Sequence, residues 1–372
     1  MFFENFKSDV LFTGYYGQMN TGDDAFVQVA SWGASKYWNK NNNIFLGIKK
    51  NLPTSKKLLK GYPWSIPRTY RLQKKILIAN TDYLISAGGS TIHSELQSDD
   101  IRIMGLNAKI NKSSIKIGAI GVSIGPFSTS KDERNVIDYL HKLDFLAVRD
   151  QESYNFVKQF NLPYKPINAF DLAALIPEIY IKKQFVKSEK KVVGISVCPV
   201  ESITNGNISK EQRRNTNIIE LAKYLDVHEN IHYKFFIING HSVFGDLKLT
   251  KQIIEKIKPK SFEIIGYNPD TYKTWNEISN CDFVISTRLH AAIFACFSQV
   301  PFMLNEYHRK CSDFLDNIGY ESTYRLFNDE YSVEEKAEKI LEIINTPESY
   351  INPLFANKMV EKSRLNFLGV SL

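Results

Sequence analysis

Arg288 and His290 stand two positions apart, where one kind of sequence gives way to another. Asp282–Thr287 is a short, β-branched apolar run that reads as a buried parallel strand. From Leu289 to Phe297 the apolar residues and alanines read as a helix packed on that strand. In an open α/β sheet the carboxyl ends of the strands form the ligand crevice. A helix that begins there directs unpaired N–H groups and a positive dipole end at whatever binds. A guanidinium and an imidazole at that switch suit an anion. An arginine holding a carboxylate and a satisfied core histidine would use the same two residues, and position alone does not separate the readings. Lys310 comes one β-α unit later, after the strand Pro301–Asn305, so it can reach the same crevice.

Other strands also end in polar or glycine-rich loops. The first runs into GYYGQMNTGDDA at 14–25, where Gly14, Gly17 and Gly22 permit tight turns and close backbone approach. Asn20 to Asp24 then lead into a helix. Asp23 and Asp24 either cap that helix or face a ligand, one of them binding or deprotonating a sugar hydroxyl. The dinucleotide pattern GxGxxG is missing, which disfavours a nicotinamide dehydrogenase. The loop Ser86–His93 offers backbone N–H groups with the hydroxyls of Ser90 and Thr91 as a cradle for an anion or a sugar, while His93 reads as a surface or packing residue rather than a catalyst. Gly121–Phe127 ends another strand in a glycine turn. Arg149 closes the strand Phe145–Val148 just before a helix start at Asp150, as a structural ion pair or on the rim of a cleft. His241, after the strand Tyr233–Ile238, is a secondary candidate.

The elements that must position these residues alternate between strand and helix nearly throughout, the pattern of doubly wound α/β structure. In the first half, strands are expected at Val10–Tyr15, Asn43–Ile48, Tyr83–Ala87, Ile115–Ile120, Phe145–Val148 and near Pro166–Phe170. Helices fall between them at Asp23–Trp38, Ile101–Asn111, Lys131–Lys142 and Gln151–Phe160. The lysine-rich, glycine-free stretch Ile181–Lys191 reads as a linker. The pattern then restarts with strands at Val192–Val197, Tyr233–Ile238, Ser261–Ile265, Asp282–Thr287 and Pro301–Asn305. Helical patterns at Lys210–Leu225, Arg309–Asn317 and Val333–Asn345 accompany them. The expected architecture is two Rossmann-like domains facing each other across a cleft: residues 1–185, residues 190–345, and a tail, 346–372, that packs back on the first domain. Several loops of each half then aim polar groups at one place.

A chain of 372 residues suits two domains better than one core. Its 43% hydrophobic and 23% charged residues are ordinary for a globular protein. A net charge of +7 is mildly basic and suits small anions or loose contact with an acidic membrane surface. The Lys and Arg residues form no clustered stripe, so nucleic acid is excluded as a partner. Cys198, Cys281, Cys296 and Cys311 make no CxxC pair and no metal-ligand spacing, which reads as reduced thiols in the cytoplasm and no metal site. The N-terminus lacks a signal-peptide pattern, and no apolar run reaches membrane-spanning length, so membrane contact would be peripheral, at the inner face. Oligomeric state is not legible.

Taken together, these segments resemble the polysaccharide pyruvyl transferase family. The matching elements are GYYGQMNTGDDA at 14–25, SAGGS at 86–90, GVSIGPF at 121–127, AVRDQES at 147–153, FDLA at 170–173, STRLHAA at 286–292 and the Lys310 segment, in the family's order. Ala87 departs from a third glycine the family often has, which matters only if a positive φ is needed there. The resemblance implies a GT-B-like fold, phosphoenolpyruvate as co-substrate with no separate cofactor, and a sugar acceptor, free, polymeric or polyprenyl-diphosphate-linked, that receives a cyclic pyruvate ketal. It implies that Arg149, Arg288, His290 and Lys310 bind the donor, with Leu289 contributing its backbone. Asn20, Asp23, Asp24, Gly89 and Ser90 are the acceptor-side candidates. Arginines pair bidentately with carboxylate and phosphate, lysine adds a compact charge, and His290 beside bound anions would hold the proton that the enol methylene needs. A GT-B nucleotide-sugar glycosyltransferase is the nearest alternative, though the helix after His290 carries no acid for a ribose. A non-catalytic carbohydrate-binding protein is the more distant one.

Overall fold

The computed structural model describes residues 4–55, 58–111, 114–183, 189–327 and 330–372. They form two compact units. The first comprises Met1–Gln18, Asp23–Leu175 and Lys358–Leu372, and the second Met19–Gly22 with Ile176–Asn357.

The first unit is built on six strands: β1 (Ser8–Thr13), β2 (Asn43–Phe45), β3 (Thr81–Ile92), β4 (Lys116–Ile124), β5 (Phe145–Val148) and β6 (Ile167–Asn168). All neighbours are parallel, in the order β2-β1-β3-β4-β5-β6. Strands buried on both faces must be apolar runs, and Val10–Phe12, Leu84, Ile85 and Leu146–Val148 are fully covered. Between them lie α1 (Thr21–Trp38), α2 (Tyr70–Ala79), α3 (Ile101–Lys109), α4 (Ser130–Leu140) and α5 (Gln151–Val157). Side-chain oxygens cap the last two: Thr129 accepts from Asp132 N and Asp150 from Ser153 N. The chain leaves β1 for β2 on one side and returns to β3 on the other, so the switch point lies between β1 and β3.

The second unit opens with α6 (Ile176–Ile179) and carries β7 (Lys191–Ser196), β8 (Ile231–Phe236), β9 (Phe262–Ile265), β10 (Phe283–Ser286) and β11 (Phe302–Leu304). Its parallel sheet has the order β11-β10-β7-β8-β9, with the switch point between β7 and β10. Its other helices are α7 (Val200–Thr204), α8 (Ile208–His228), α9 (Leu247–Ile257), α10 (Thr271–Ser279), α11 (Leu289–Phe297), α12 (Arg309–Ile318) and α13 (Val333–Asn345). Gly319 at φ +65° ends α12, and a Ser332–Glu335 capping box starts α13. The last helix, α14 (Ala356–Leu368), is fastened to the first unit, where Ser363 Oγ donates to Asp171 O at 2.8 Å and Trp38 Nε1 donates to Phe367 O at 2.9 Å.

The structure amends two expectations. α2 occupies a region assigned no element; its N-cap residue, Thr69, makes no side-chain capping bond. β3 does not stop at Ala87 but continues to Ile92: Gly88 and Gly89 take φ of +78° and +83° within the strand, and the register against β4 shifts just after them, between Gly89 and Ile92. Ala87 itself is not at positive φ, so the missing glycine costs nothing there. Of the stretch read as a linker, residues 184–188 lie outside the described residues. No helix among the described residues is long and apolar enough to cross a membrane.

All four cysteines are free and buried. Burial pushes the Cys198 and Cys281 thiols up to about 12 from 9.0, and raises Cys296 and Cys311 as well. Native protein at pH 8 is therefore expected to resist a thiol reagent until denaturant exposes the four groups. A thiol with a raised folded pKa contributes stability that is complete below the unfolded value and lost as pH climbs toward the folded one. The melting temperature should accordingly fall between pH 9 and 12. Rapid labelling of the native chain, or a flat alkaline melting curve, would contradict this account.

Candidate functional site

In the second unit the site is assembled at the β7/β10 switch point. Ser286, the last residue of β10, stands opposite Ser196 of β7, with their hydroxyls 2.7 Å apart. Ser286 Oγ donates to Arg288 O at 2.6 Å and Thr287 N donates to Ser196 O at 2.8 Å, which fixes the turn into α11. Arg288 is the N-cap residue of α11, in extended conformation, and its side chain does not cap the helix. Its guanidinium instead grips Asp246. Nε donates to the two carboxylate oxygens at 3.0 and 3.1 Å, and Nη2 donates to Oδ1. Asp246 is wholly buried and also accepts from Asn239 N at 2.8 Å. Burial pushes its carboxyl up, while Arg288 and backbone N–H groups pull the other way. The result is a guanidinium with preset orientation at the start of α11.

His290 is placed by backbone. Met19–Gly22 lies along the end of β8: Gly240 N donates to Met19 O at 2.8 Å, Thr21 N donates to Ile238 O at 3.0 Å, and Asn20 forms an antiparallel bridge with Asn239. This seats Gly22 against the imidazole so closely that a Cβ there would stand 2.0 Å from His290 Nδ1. Only glycine leaves room for the ring.

Lys310 is in the first turn of α12, capped by His308, whose Nδ1 accepts from Lys310 N at 3.2 Å. The ammonium lies 5.1 Å from the centre of the Tyr307 ring. Burial raises the Tyr307 hydroxyl and the Cys198 thiol to about 12, and in both cases the charges of Lys310 and Arg288 act against it. Two cations from different β-α units thus act on the same two groups. Arg288, Leu289, His290 and Lys310 are brought to one end of the second sheet.

The first unit has its own cluster. Arg149 leaves β5 buried, and its guanidinium is held three ways: Nε donates to Ser123 Oγ at 2.7 Å, Nη1 to Asp171 Oδ2 at 2.8 Å and Nη2 to Ser90 Oγ at 2.9 Å. Ser90, read from sequence as an acceptor contact, is therefore a partner of Arg149. Gly89 precedes it on β3. Asp24 is buried and Asp23 half-buried in the first turn of α1, where Asp23 adds to the burial that raises the Tyr16 hydroxyl. Asn20 belongs to the second unit, and its Oδ1 accepts from Gly22 N at 2.9 Å.

Sequence alone misses Asp246, because nothing local distinguishes it from an ordinary acid ahead of a helix. The one available signal is its place after β8, one strand over from the end of β7. His241 plays a local part. Its Nδ1 accepts from Val243 N and Phe244 N, both at 3.1 Å, and its ring stacks on Phe244, bracing the loop that delivers Asp246. His93 is exposed. Among the described residues no group of three or more His, Cys, Asp and Glu is arranged to hold a metal ion.

Comparisons with solved structures place the fold. The chain is similar to a putative UDP-N-acetylglucosamine 2-epimerase from Listeria monocytogenes, at 9% identity and a TM-score of 0.62, covering 98% of each chain. The S. aureus MnaA–UDP co-structure matches at 11% identity and a TM-score of 0.60, also over 98% of each chain. The UDP-GlcNAc 2-epimerase from Methanocaldococcus jannaschii matches at 15% identity and a TM-score of 0.56, over 96% of this chain and 97% of that one. At such identities the likeness shows the fold alone, which is α/β and GT-B-like. No curated protein sequence matches the chain. The sequence model for polysaccharide pyruvyl transferase, however, matches residues 20–309, a span that contains Asn20, Arg149, Arg288 and His290 and ends beside Lys310. The chain belongs to the polysaccharide pyruvyl transferase family.

Proposed function

We propose that the protein transfers the enolpyruvyl group of phosphoenolpyruvate to two hydroxyls of a sugar, forming a cyclic ketal and releasing phosphate. The observation that carries this reading is the preset Arg288 guanidinium at the start of α11, with His290 in the same turn and Lys310 beside Tyr307. Phosphoenolpyruvate concentrates a carboxylate and a phosphate in a small volume, and this set suits both. His290 protonates the methylene carbon, so that C2 becomes electrophilic and one sugar hydroxyl adds to it. The C2–O bond to phosphate then breaks and the second hydroxyl closes the ketal, each hydroxyl giving up its proton. Arg288 and Lys310 take up the charge that grows on the departing phosphate. The acceptor belongs to a cell-surface polysaccharide or its lipid-linked precursor, and the reaction takes place in the cytoplasm or at the inner membrane face. Ser90 and Gly89, together with Asp23, Asp24 and Asn20, remain the acceptor-side assignment, and Arg149 a donor-side one.

The test is incubation with phosphoenolpyruvate and a panel of free and lipid-linked glycosides, following phosphate release and the mass of the glycoside. A pyruvate-ketal mass gain is expected with at least one acceptor. His290→Gln should lower the rate by roughly 100-fold or more, the range for loss of a general acid. If only nucleotide sugars are consumed, the chain is a glycosyltransferase. If His290→Gln turns over at a near-normal rate, the proton-donor role is lost.

A further inference from the structure

A pocket of about 580 Å³ opens in the second unit, lined by neither Arg288 nor His290 nor Lys310. Its wall carries four cations, Lys210, Arg214, Arg309 and Arg325, against one carboxylate, Glu306. The acids that steady three of these cations lie outside the lining: Glu201 behind Arg214, Asp313 behind Arg309 and Asp316 behind Arg325. Of these acids Glu201 is buried and orients the Arg214 guanidinium without covering the wall, as Asp246 does for Arg288, while Asp313 and Asp316 make more exposed pairs. Glu306 is engaged by Ser312 and Arg325. Arg214 adds an independent sign. It is 2% exposed and bonded to Glu201 through Nη2, yet its buried Nε–H has no hydrogen-bond partner among the described residues. A buried guanidinium donor left unmatched beside a cavity calls for an acceptor from a ligand.

The aromatic lining narrows the ligand. Tyr307 and Phe327 are half-buried and face the pocket, and Phe327 already packs under Arg213, 5.2 Å from the ring centre. Apolar rings beside fixed cations suit a phosphoryl group joined to a sugar or a base, and the volume falls within the range of small-molecule sites. We propose that this pocket is a second anion site, which binds the phosphoryl or diphosphate group of a ring-bearing ligand. The assignment does not depend on the identity of the donor bound near Arg288.

Calorimetric titration of the full chain tests it with three probes: pyrophosphate, glucose 1-phosphate and uridine diphosphate. Glucose 1-phosphate or uridine diphosphate should bind more tightly than pyrophosphate, and the tighter of those two identifies whether sugar or base is the ring; pyrophosphate binding as tightly as either would overturn the ring-bearing ligand. Lys210→Gln with Arg309→Gln removes two accessible charges and leaves the buried Glu201–Arg214 pair in place. It should weaken that probe by about 10-fold or more while phosphoenolpyruvate binding is unchanged. His290→Gln should leave the probe's affinity alone. Failure of all three probes to bind, unaltered binding by the double variant, or displacement of the probe by phosphoenolpyruvate would each overturn the second site. None of these results bears on pyruvyl transfer, which is read separately by phosphate release.

Discussion

Gly22→Ala is expected to reduce turnover by about 100-fold or more while lowering the melting temperature only to the extent that displacing one ring costs stability, about 1–3 kcal/mol at most. The new Cβ would stand 2.0 Å from His290 Nδ1 and 2.4 Å from Cε1 and Cγ, so the imidazole must leave its place. The backbone around Gly22 cannot yield instead, because Thr21 N and Gly240 N tie the segment to the end of β8. Gly22 is the second residue of α1, so the preference for alanine over glycine, roughly 0.5–1 kcal/mol in a helix interior, offsets only part of the clash. Gly266→Ala, whose Cβ would meet nothing within 4 Å, is the matched control. The measurements are phosphate release, thermal melting and the position of the His290 ring in the variant. Full activity with the ring displaced would remove His290 from the chemistry.

Asp246→Asn should have the largest effect on the fold. It takes the charge from a wholly buried carboxylate and leaves Arg288, only 14% exposed, without its counter-ion. Breaking such a pair on one side costs roughly 3–5 kcal/mol, far more than the pair contributes over an apolar replacement. The loop Asn239–Asp246 would loosen as well, because the carboxylate also holds Asn239 N. The double variant Asp246→Leu with Arg288→Met separates the two roles. It should recover most of the stability in a denaturant titration and none of the activity. If Asp246→Asn unfolds at the wild-type denaturant concentration, the pair is not what holds the turn; if the double variant turns over normally, Arg288 is not a donor ligand.

Much of this architecture was legible because parallel strands buried on both faces leave a plain trace. Val10–Phe12, Leu146–Val148 and Val284–Ile285 are apolar runs with no alternation, each followed by a helical pattern. Phe145–Val148 and Val333–Asn345 match their expected bounds residue for residue. α2 escaped because its apolar residues face partners that only the folded sheet supplies. β3 looked shorter than it is because two glycines normally signal a turn, and here they stay in the ladder just ahead of a register shift.

The candidate site divides in the same way. Local order along the chain determined that an arginine and a histidine stand where β10 becomes α11, with a lysine one β-α unit on, because those positions follow from periodicity alone. It also determined that Gly22 would permit a close approach. Sequence could not say what approaches it, and the answer is His290, 268 positions away. It left Arg288 suspended between a carboxylate clamp and an anion site, and the fold shows the clamp: Asp246 is its partner. For Arg149 the fold supplied three partners, Ser90, Ser123 and Asp171, from three separate segments. These are pairings between side chains distant in sequence. Spacing encodes which way a residue points from its own strand or helix, but which carboxylate or ring it meets depends on strand order, which is settled only when the sheets assemble.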